Sequence, residues 1–65
     1  MLLDKILDIM DMNDKVYIWD FTSNPRQMIY RGHIANIPRH IYKNKEVKKI
    51  LHSANGFVIS VVEVM

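Results

Sequence analysis

The chain holds three histidines and no cysteine, so a metal site is the first chemistry to consider. His33, His40 and His52 are separated by intervals of 7 and 12 residues. Neither interval matches a ligand motif, and the absence of cysteine excludes a thiolate site. We therefore expect no bound metal and no other cofactor.

A carboxylate and lysine arrangement of the nuclease type is the second candidate. Asp20 lies upstream of Glu46 and Lys48, and these are the residue types that hold a metal ion and an attacking water in such enzymes. A motif this short is common by chance, and a chain of 65 residues has little room for a substrate cleft. We expect that the protein is not an enzyme. If it has a catalytic activity, Asp20, Glu46 and Lys48 are the residues to substitute first.

An aromatic row is the third candidate, and it concerns binding. Tyr17, Trp19 and Phe21 alternate along one segment, so in a strand they share one side, with Tyr30 and Arg31 on the next extended segment. Such a row could stack nucleic-acid bases, each worth about 1 to 3 kcal/mol. Cross-strand aromatic pairs are more often core or interface material. We therefore predict a partner or dimer interface at these five residues.

Charge is unevenly distributed along the chain. The net charge is +2, but residues 1–20 hold five aspartates against two lysines, and residues 21–65 hold seven basic against two acidic residues. Either an acidic helix face or a basic segment could meet a charged target, where charge complementarity raises specificity and association rate. The candidate charged binding residues are Asp4, Asp8, Asp11, Arg39, Lys43, Lys45, Lys48 and Lys49.

Hydrophobic periodicity predicts the elements that carry these residues. They are a helix over 2–11, a strand over 15–21, an extended segment over 26–35, a helical turn near 38–43 and a last strand over 57–64. Residues 39–53 are ambiguous. Apolar residues at helical spacing favour a helix there, whereas Asn55-Gly56 is a hairpin signal that favours a strand over 47–53.

One pattern resembles small uncharacterised proteins of phages, prophages and low-GC Gram-positive bacteria. It consists of Tyr30-x-Gly32, Ile37-Pro38, Glu46-Val47-x-x-Ile50 and Gly56-x-Val58-Ile59-x-Val61. The resemblance implies a helix followed by two hairpins with a helical turn between them, and it transfers no catalytic residue. It also implies a role directed at a host protein, such as inhibition of an antiviral defence system of the anti-CRISPR kind.

Together these features predict a single α+β domain over 1–65, with the helix packed on a small antiparallel sheet of two hairpins. One helix of about 15 Å covers one face of such a sheet and not both. Because residues 57–64 are apolar on both strand faces, the second face needs a partner. We expect a homodimer or higher homo-oligomer that binds a host protein. A small nucleic-acid-binding module is the alternative.

The expected location is the cytoplasm. Asp4, Asp8 and Asp11 interrupt the N-terminal apolar run, which a secretory signal would keep uniformly apolar. The apolar stretches are also shorter than the about 18 residues that a membrane span needs. We therefore expect no contact with a membrane.

Overall fold

The computed structural model describes residues 1–22 and 24–64. Met65 lies outside the described residues, as does Ser23, which belongs to the polar stretch 22–25 where the residue types predict a turn. The elements are α1 (Leu3–Ile9), β1 (Lys15–Asp20), β2 (Gln27–His33), a 3-10 helix (Ile34–Asn36), α2 (Arg39–Tyr42), β3 (Lys45–Ser53) and β4 (Gly56–Glu63). An N-terminal helix with a four-stranded sheet confirms the predicted α+β class. Neither α-helix in the described ranges has the length and apolar character that crossing a membrane requires.

The sheet is mixed, which corrects the antiparallel sheet that we predicted. Its strand order is β2-β1-β4-β3. The central strands β1 and β4 run parallel, and each pairs antiparallel with its outer neighbour. The relative direction of the central strands depends on the path of residues 34–44 from one sheet edge to the other. No local sequence pattern encodes that path.

The core lies on one face of the two central strands. Val16 and Ile18 on β1 and Ile59 and Val61 on β4 have no solvent exposure. They pack with three further buried residues, which are Leu3, Leu7 and Ile34. Burying an aliphatic side chain of this size contributes about 1.5 to 3 kcal/mol. The most apolar strands therefore occupy the centre, where neighbouring strands and the helix bury them together.

The helix α1 is shorter than the predicted helix over 2–11. Leu2 before it and Met10 after it are extended, and no side chain caps its N-terminus. The residues before the helix join the sheet instead, because the Val47 N–H donates to the Met1 carbonyl at 2.8 Å and Leu2 bridges to Glu46. This pairing holds the start of the chain at β3 and places α1 over the core.

The ambiguous segment 39–53 forms one helical turn and then a strand. The strand prediction over 47–53 is confirmed, and the alternative helix over 39–53 is wrong. Asn44 adopts a φ of 59°, a left-handed conformation that asparagine tolerates, just before β3 begins. Because β4 supplies a strand partner to every residue of β3 except Lys48, sheet pairing outweighs the helical spacing of the apolar residues.

Gly56 begins β4 next to the backbone of β1. Its φ is 138°, a conformation that side chains disfavour. A Cβ atom at this position would collide with the carbonyl oxygen of Lys15. Glycine therefore permits both the turn out of β3 and the close approach of the two central strands.

Candidate functional site

The sheet face opposite α1 carries aromatic and aliphatic side chains between charged ones. Side chains that alternate with the core residues form this face, which we call the outer face. The pairing of the central strands sets Tyr17 beside Val58 and Trp19 beside Ser60. These residues are half-buried, as is Val62 farther along β4. The described helices lie on the other side, where they contribute Leu3, Leu7 and Ile34 to the core.

Strand pairing arranges the outer face in rows that cross the sheet. One row consists of Arg31, Tyr17, Val58 and Leu51. The next row consists of Met28, Trp19, Ser60 and Lys49. The apolar side chains at the row ends remain open to solvent, with Met28 40% and Leu51 50% exposed. An apolar band therefore runs diagonally across the sheet, from Met28 on β2 through Trp19, Tyr17 and Val58 to Leu51 on β3. Arg31 and Lys49 occupy the opposite ends of the two rows.

Cations lie over the aromatic rings of the outer face. The Lys15 Nζ atom is 5.8 Å from the centre of the Tyr17 ring. The guanidinium carbon of Arg26 is 5.2 Å from the centre of the Trp19 ring and 5.8 Å from that of Phe21. At these distances the ring attracts the cation, and the aliphatic stems of Lys and Arg cover apolar surface. These side chains shield part of the aromatic row from water.

Arg26 also lines a shallow depression at the end of β1. The depression has a volume of about 460 Å³ and is lined by Trp19, Phe21, Asn24, Pro25 and Arg26. Phe21 is 46% exposed there. An open surface of this kind suits a flat or protruding group of a partner. It does not enclose a small molecule in the way that most substrate pockets do.

Four of the five predicted interface residues lie on the outer face, namely Tyr17, Trp19, Phe21 and Arg31. Tyr30 does not. It pairs with Ile18, packs against the core and donates a hydrogen bond from its hydroxyl to the His33 carbonyl at 2.7 Å. The register shifts between Ile18 and Trp19, and this irregularity turns both Ile29 and Tyr30 toward the core. An interface role for the other four residues stays a prediction.

Sequence reasoning missed several outer-face residues. The position of Lys15 on this face could have been predicted, since it lies two residues before Tyr17 in the same strand and therefore shares its side. Met28 and Leu51 reach the outer face through the register of the outer strands, and that register is set by pairing with other segments. Arg26 lies just before β2, and its contact with Trp19 had no local signal.

Asp20, Thr22 and Lys45 form a polar cluster at the end of β1. The Lys45 Nζ atom lies 3.4 Å from Asp20 Oδ2, and both side chains are 15% exposed. The Thr22 N–H donates to Asp20 Oδ1 at 2.8 Å, while Thr22 Oγ1 accepts the Glu63 N–H at 2.6 Å. Burial acts to raise the pKa of Asp20, but hydrogen bonds from Thr22 and the charge of Lys45 outweigh it and lower the pKa. The cluster therefore links the ends of three strands.

The predicted acidic and basic residues do not form two separate charged surfaces. Asp4 and Asp8 on α1 line a depression of about 280 Å³ together with Arg39 and Lys43. Because opposite charges share this depression, neither set presents an unopposed charge there. Asp11 lies beyond the helix, is exposed, and accepts a hydrogen bond from the backbone N–H of Asn13 at 2.8 Å.

The remaining basic residues are spread over the sheet. Lys45 is held by Asp20, and Lys48 lies 3.8 Å from Glu46 in an exposed pair. Exposed pairs of this kind contribute little to stability. Lys49 is the basic residue of β3 that strand pairing places in a row with Trp19.

Asp20, Glu46 and Lys48 do not assemble into a nuclease-type site. Asp20 is paired with Val61 on the core side, whereas Glu46 is paired with Val62 and points to the outer face. Within residues 1–22 and 24–64, no group of three or more His, Asp or Glu residues is placed to hold a metal ion. His52 instead packs on Phe57, with ring centres 4.7 Å apart.

No protein-family model, curated protein or solved structure matches this chain. The resemblance to phage and prophage proteins stays a prediction.

Proposed function

We propose that this protein is a small, non-enzymatic interaction protein that self-associates through the outer face of its sheet. The observation that supports this is the apolar band across β2, β1, β4 and β3, which ends in the exposed side chains of Met28 and Leu51. A band of this extent on one face is typical of an interaction site.

The size of the outer face is sufficient for a dimer. Strands about 4.8 Å apart and about 3.3 Å of rise per residue give four strands of six residues a face of about 19 by 20 Å. Two such faces packed together bury on the order of 1,000 Å², near the lower limit for a specific interface. Self-association would also add apolar burial that a chain of 65 residues has difficulty providing alone.

Neighbouring residues on β3 provide a matched test. Leu51 lies on the outer face and is 50% exposed, whereas Ile50 lies on the opposite face and is 41% exposed. We expect Leu51→Glu to shift the protein from dimer to monomer, because it places a charge in the apolar band. Ile50→Glu should leave the dimer intact. Sedimentation equilibrium over a wide concentration range measures both.

Two results would contradict self-association through this face. One is a folded wild-type monomer at millimolar concentration. The other is an equal loss of dimer in the Leu51 and Ile50 variants, which would indicate a general effect of the added charge. Circular dichroism of each variant separates dissociation from unfolding.

A second candidate function is binding of single-stranded nucleic acid by the same face. The observation that favours it is the placement of Lys15 and Arg26 over Tyr17, Trp19 and Phe21. Rings that stack bases beside cations that contact phosphates are the usual elements of such sites. Because both functions use the outer face, nucleic acid would compete with the second copy.

Oligothymidine binding, followed through Trp19 fluorescence, tests this candidate. Binding should weaken steeply as salt rises from about 50 to 200 mM, since phosphate contacts release counterions. Arg26→Gln and Lys49→Gln should each weaken it, whereas Lys43→Gln should not. If oligothymidine does not quench the fluorescence of Trp19 at low salt, binding of nucleic acid by the outer face is excluded.

A host-directed role is proposed on the resemblance alone. Inhibition of a CRISPR defence can be measured as phage plaque counts on bacteria that express the protein together with a targeting system. An increase in plaques that Leu51→Glu abolishes supports the role. Unchanged plaque counts across several system types contradict it.

A further inference from the structure

A second surface lies on the helix side of the molecule, away from the outer face. It is a groove of about 330 Å³ between α1 and the segment that contains the 3-10 helix and α2. Buried Leu7 and Ile34 form its base, and the partly buried Met10, Ile37 and Tyr42 flank them. Met12 lines the same groove and is 65% exposed. The groove therefore offers apolar surface that folding leaves partly uncovered.

The charged residues that line this groove are carboxylates. Asp4 and Asp8 lie one turn apart on α1, and no basic side chain of the described residues joins them in the lining. Arg39 and Lys43 lie in the adjoining depression. Neither forms an ion pair with Asp4 or Asp8 within the described residues. Asp4 and Asp8 thus place carboxylates next to the apolar base of the groove, and they share the adjoining depression with Arg39 and Lys43.

Asp4 has a feature that packing alone does not account for. Its Oδ1 atom is shielded from solvent and has no hydrogen-bond partner among the described residues. A shielded carboxylate oxygen without a donor is unfavourable, and such atoms in native proteins call for an explanation. Because this atom is closed to solvent, a cationic donor of a bound partner would reach it only if the Asp4 side chain rotates toward the groove on binding.

We propose that this groove binds a basic amphipathic segment of a partner protein. A lysine or arginine of the segment would pair with Asp4 and Asp8, and an adjacent apolar side chain would pack on Leu7, Met10 and Ile34. Methionine side chains adapt to irregular apolar partners, which suits a surface of this kind. Recognition of an amphipathic helix by an apolar groove is a recurrent binding mode.

The groove is separate from the face through which we propose that the protein self-associates. The groove lies on the α1 side of the sheet, and the dimer that we propose uses the opposite face. A dimer packed through the outer faces would therefore carry two grooves, one on each side. Two linked sites raise the apparent affinity for a partner with two basic segments.

The test uses a fluorescein-labelled helical peptide of about 14 residues, with leucines at helical spacing and lysines elsewhere. A second peptide has glutamate in place of each lysine. Fluorescence anisotropy should show saturable binding of the lysine peptide and none of the glutamate peptide. Asp4→Asn combined with Asp8→Asn should weaken binding by about tenfold or more, because both charges are lost. Asp11→Asn is the matched control, since Asp11 does not line the groove.

A second variant tests the groove without substituting Asp4 or Asp8, in case the double substitution unfolds the protein. Met12→Lys alters an exposed side chain, removes apolar surface from the groove and adds a charge that repels the lysine peptide. It should weaken binding, while Leu51→Glu should not. Equal binding of both peptides, unchanged binding by Met12→Lys, or NMR shift changes centred on Trp19 would overturn the proposal. None of these results bears on the dimer, which sedimentation measures separately.

Discussion

Arg26 lies over the ring of Trp19, with its guanidinium carbon 5.2 Å from the ring centre, although Trp19 is in β1 and Arg26 lies in the segment before β2. The contact draws the chain before β2 back over the end of β1. It also holds a positive charge against the apolar band that we propose as the interaction surface. The outer face is therefore an aromatic surface with cations fixed upon it.

Removal of this cation should expose the indole. We expect Arg26→Ala to shift the emission of Trp19, the single tryptophan of the chain, toward longer wavelength. The loss of unfolding free energy should be about 0.5 to 2 kcal/mol, because contacts with both Trp19 and Phe21 disappear. Arg31→Ala is the control, since Arg31 lies beside Tyr17. Equal emission spectra for the two variants would argue against the contact.

The Asp20 and Lys45 pair should make stability depend on pH. Since its surroundings lower the pKa of Asp20 in the folded state, its stabilising effect is present above the unfolded pKa and is lost as pH falls through the folded pKa. We expect Asp20→Asn to reduce the free energy of unfolding by about 1 to 3 kcal/mol at neutral pH.

Urea denaturation at a series of pH values measures this effect. The difference between the wild type and Asp20→Asn should become smaller as pH falls below about 4, the ordinary pKa of an aspartate, because the unfolded chain takes up the proton before the folded one does. Lys45→Met should reduce the pH dependence in the same way. A difference that does not shrink anywhere between neutral and strongly acidic pH would refute the role of the pair.

Glycine substitutions should separate backbone collision from conformational strain. Gly56→Ala should cost about 3 kcal/mol or more, since its positive φ is disfavoured and the new Cβ would meet the backbone of Lys15. Gly32 also has a positive φ, but a Cβ there would meet the hydroxyl of Tyr30, which can move. Gly32→Ala should therefore cost less, about 1 to 2 kcal/mol. Thermal unfolding of both variants gives the comparison, and a smaller loss for Gly56 would be inconsistent with the close approach of β1 and β4.

Paired isoleucines on β3 and β4 test the position of the core. Ile59 has no exposure and Ile50 opposite it is 41% exposed, although both lie on the same face. We expect Ile59→Ala to reduce the free energy of unfolding by about 2 to 5 kcal/mol and Ile50→Ala by less than about 1 kcal/mol. Chemical denaturation measures both, and similar losses would mean that α1 covers more of β3 than the structure shows.

The class of fold and the type of most elements could be predicted from local patterns. Apolar alternation identified the strand that begins at Lys15. Local patterns left residues 39–53 open, and only the resemblance favoured the strand over 47–53 that the structure contains. The placement of Tyr30 could not be predicted, because one register shift beside Ile18 decides which face it joins. The grouping of the charged residues could not be predicted either, since Asp4 and Arg39 line one depression only because α1 and α2 pack on the same side of the sheet.

The sequence by itself therefore determined an N-terminal helix, strongly apolar strands and an aromatic row that alternates with core residues. These follow from side-chain periodicity, which is a property of neighbours in the chain. The tertiary structure alone decided the parallel pairing of β1 and β4, the contact of Arg26 with Trp19 and the groove beside Asp4. Each of these depends on how distant segments cross and pack, and contacts between distant segments leave no periodic signal in a single sequence.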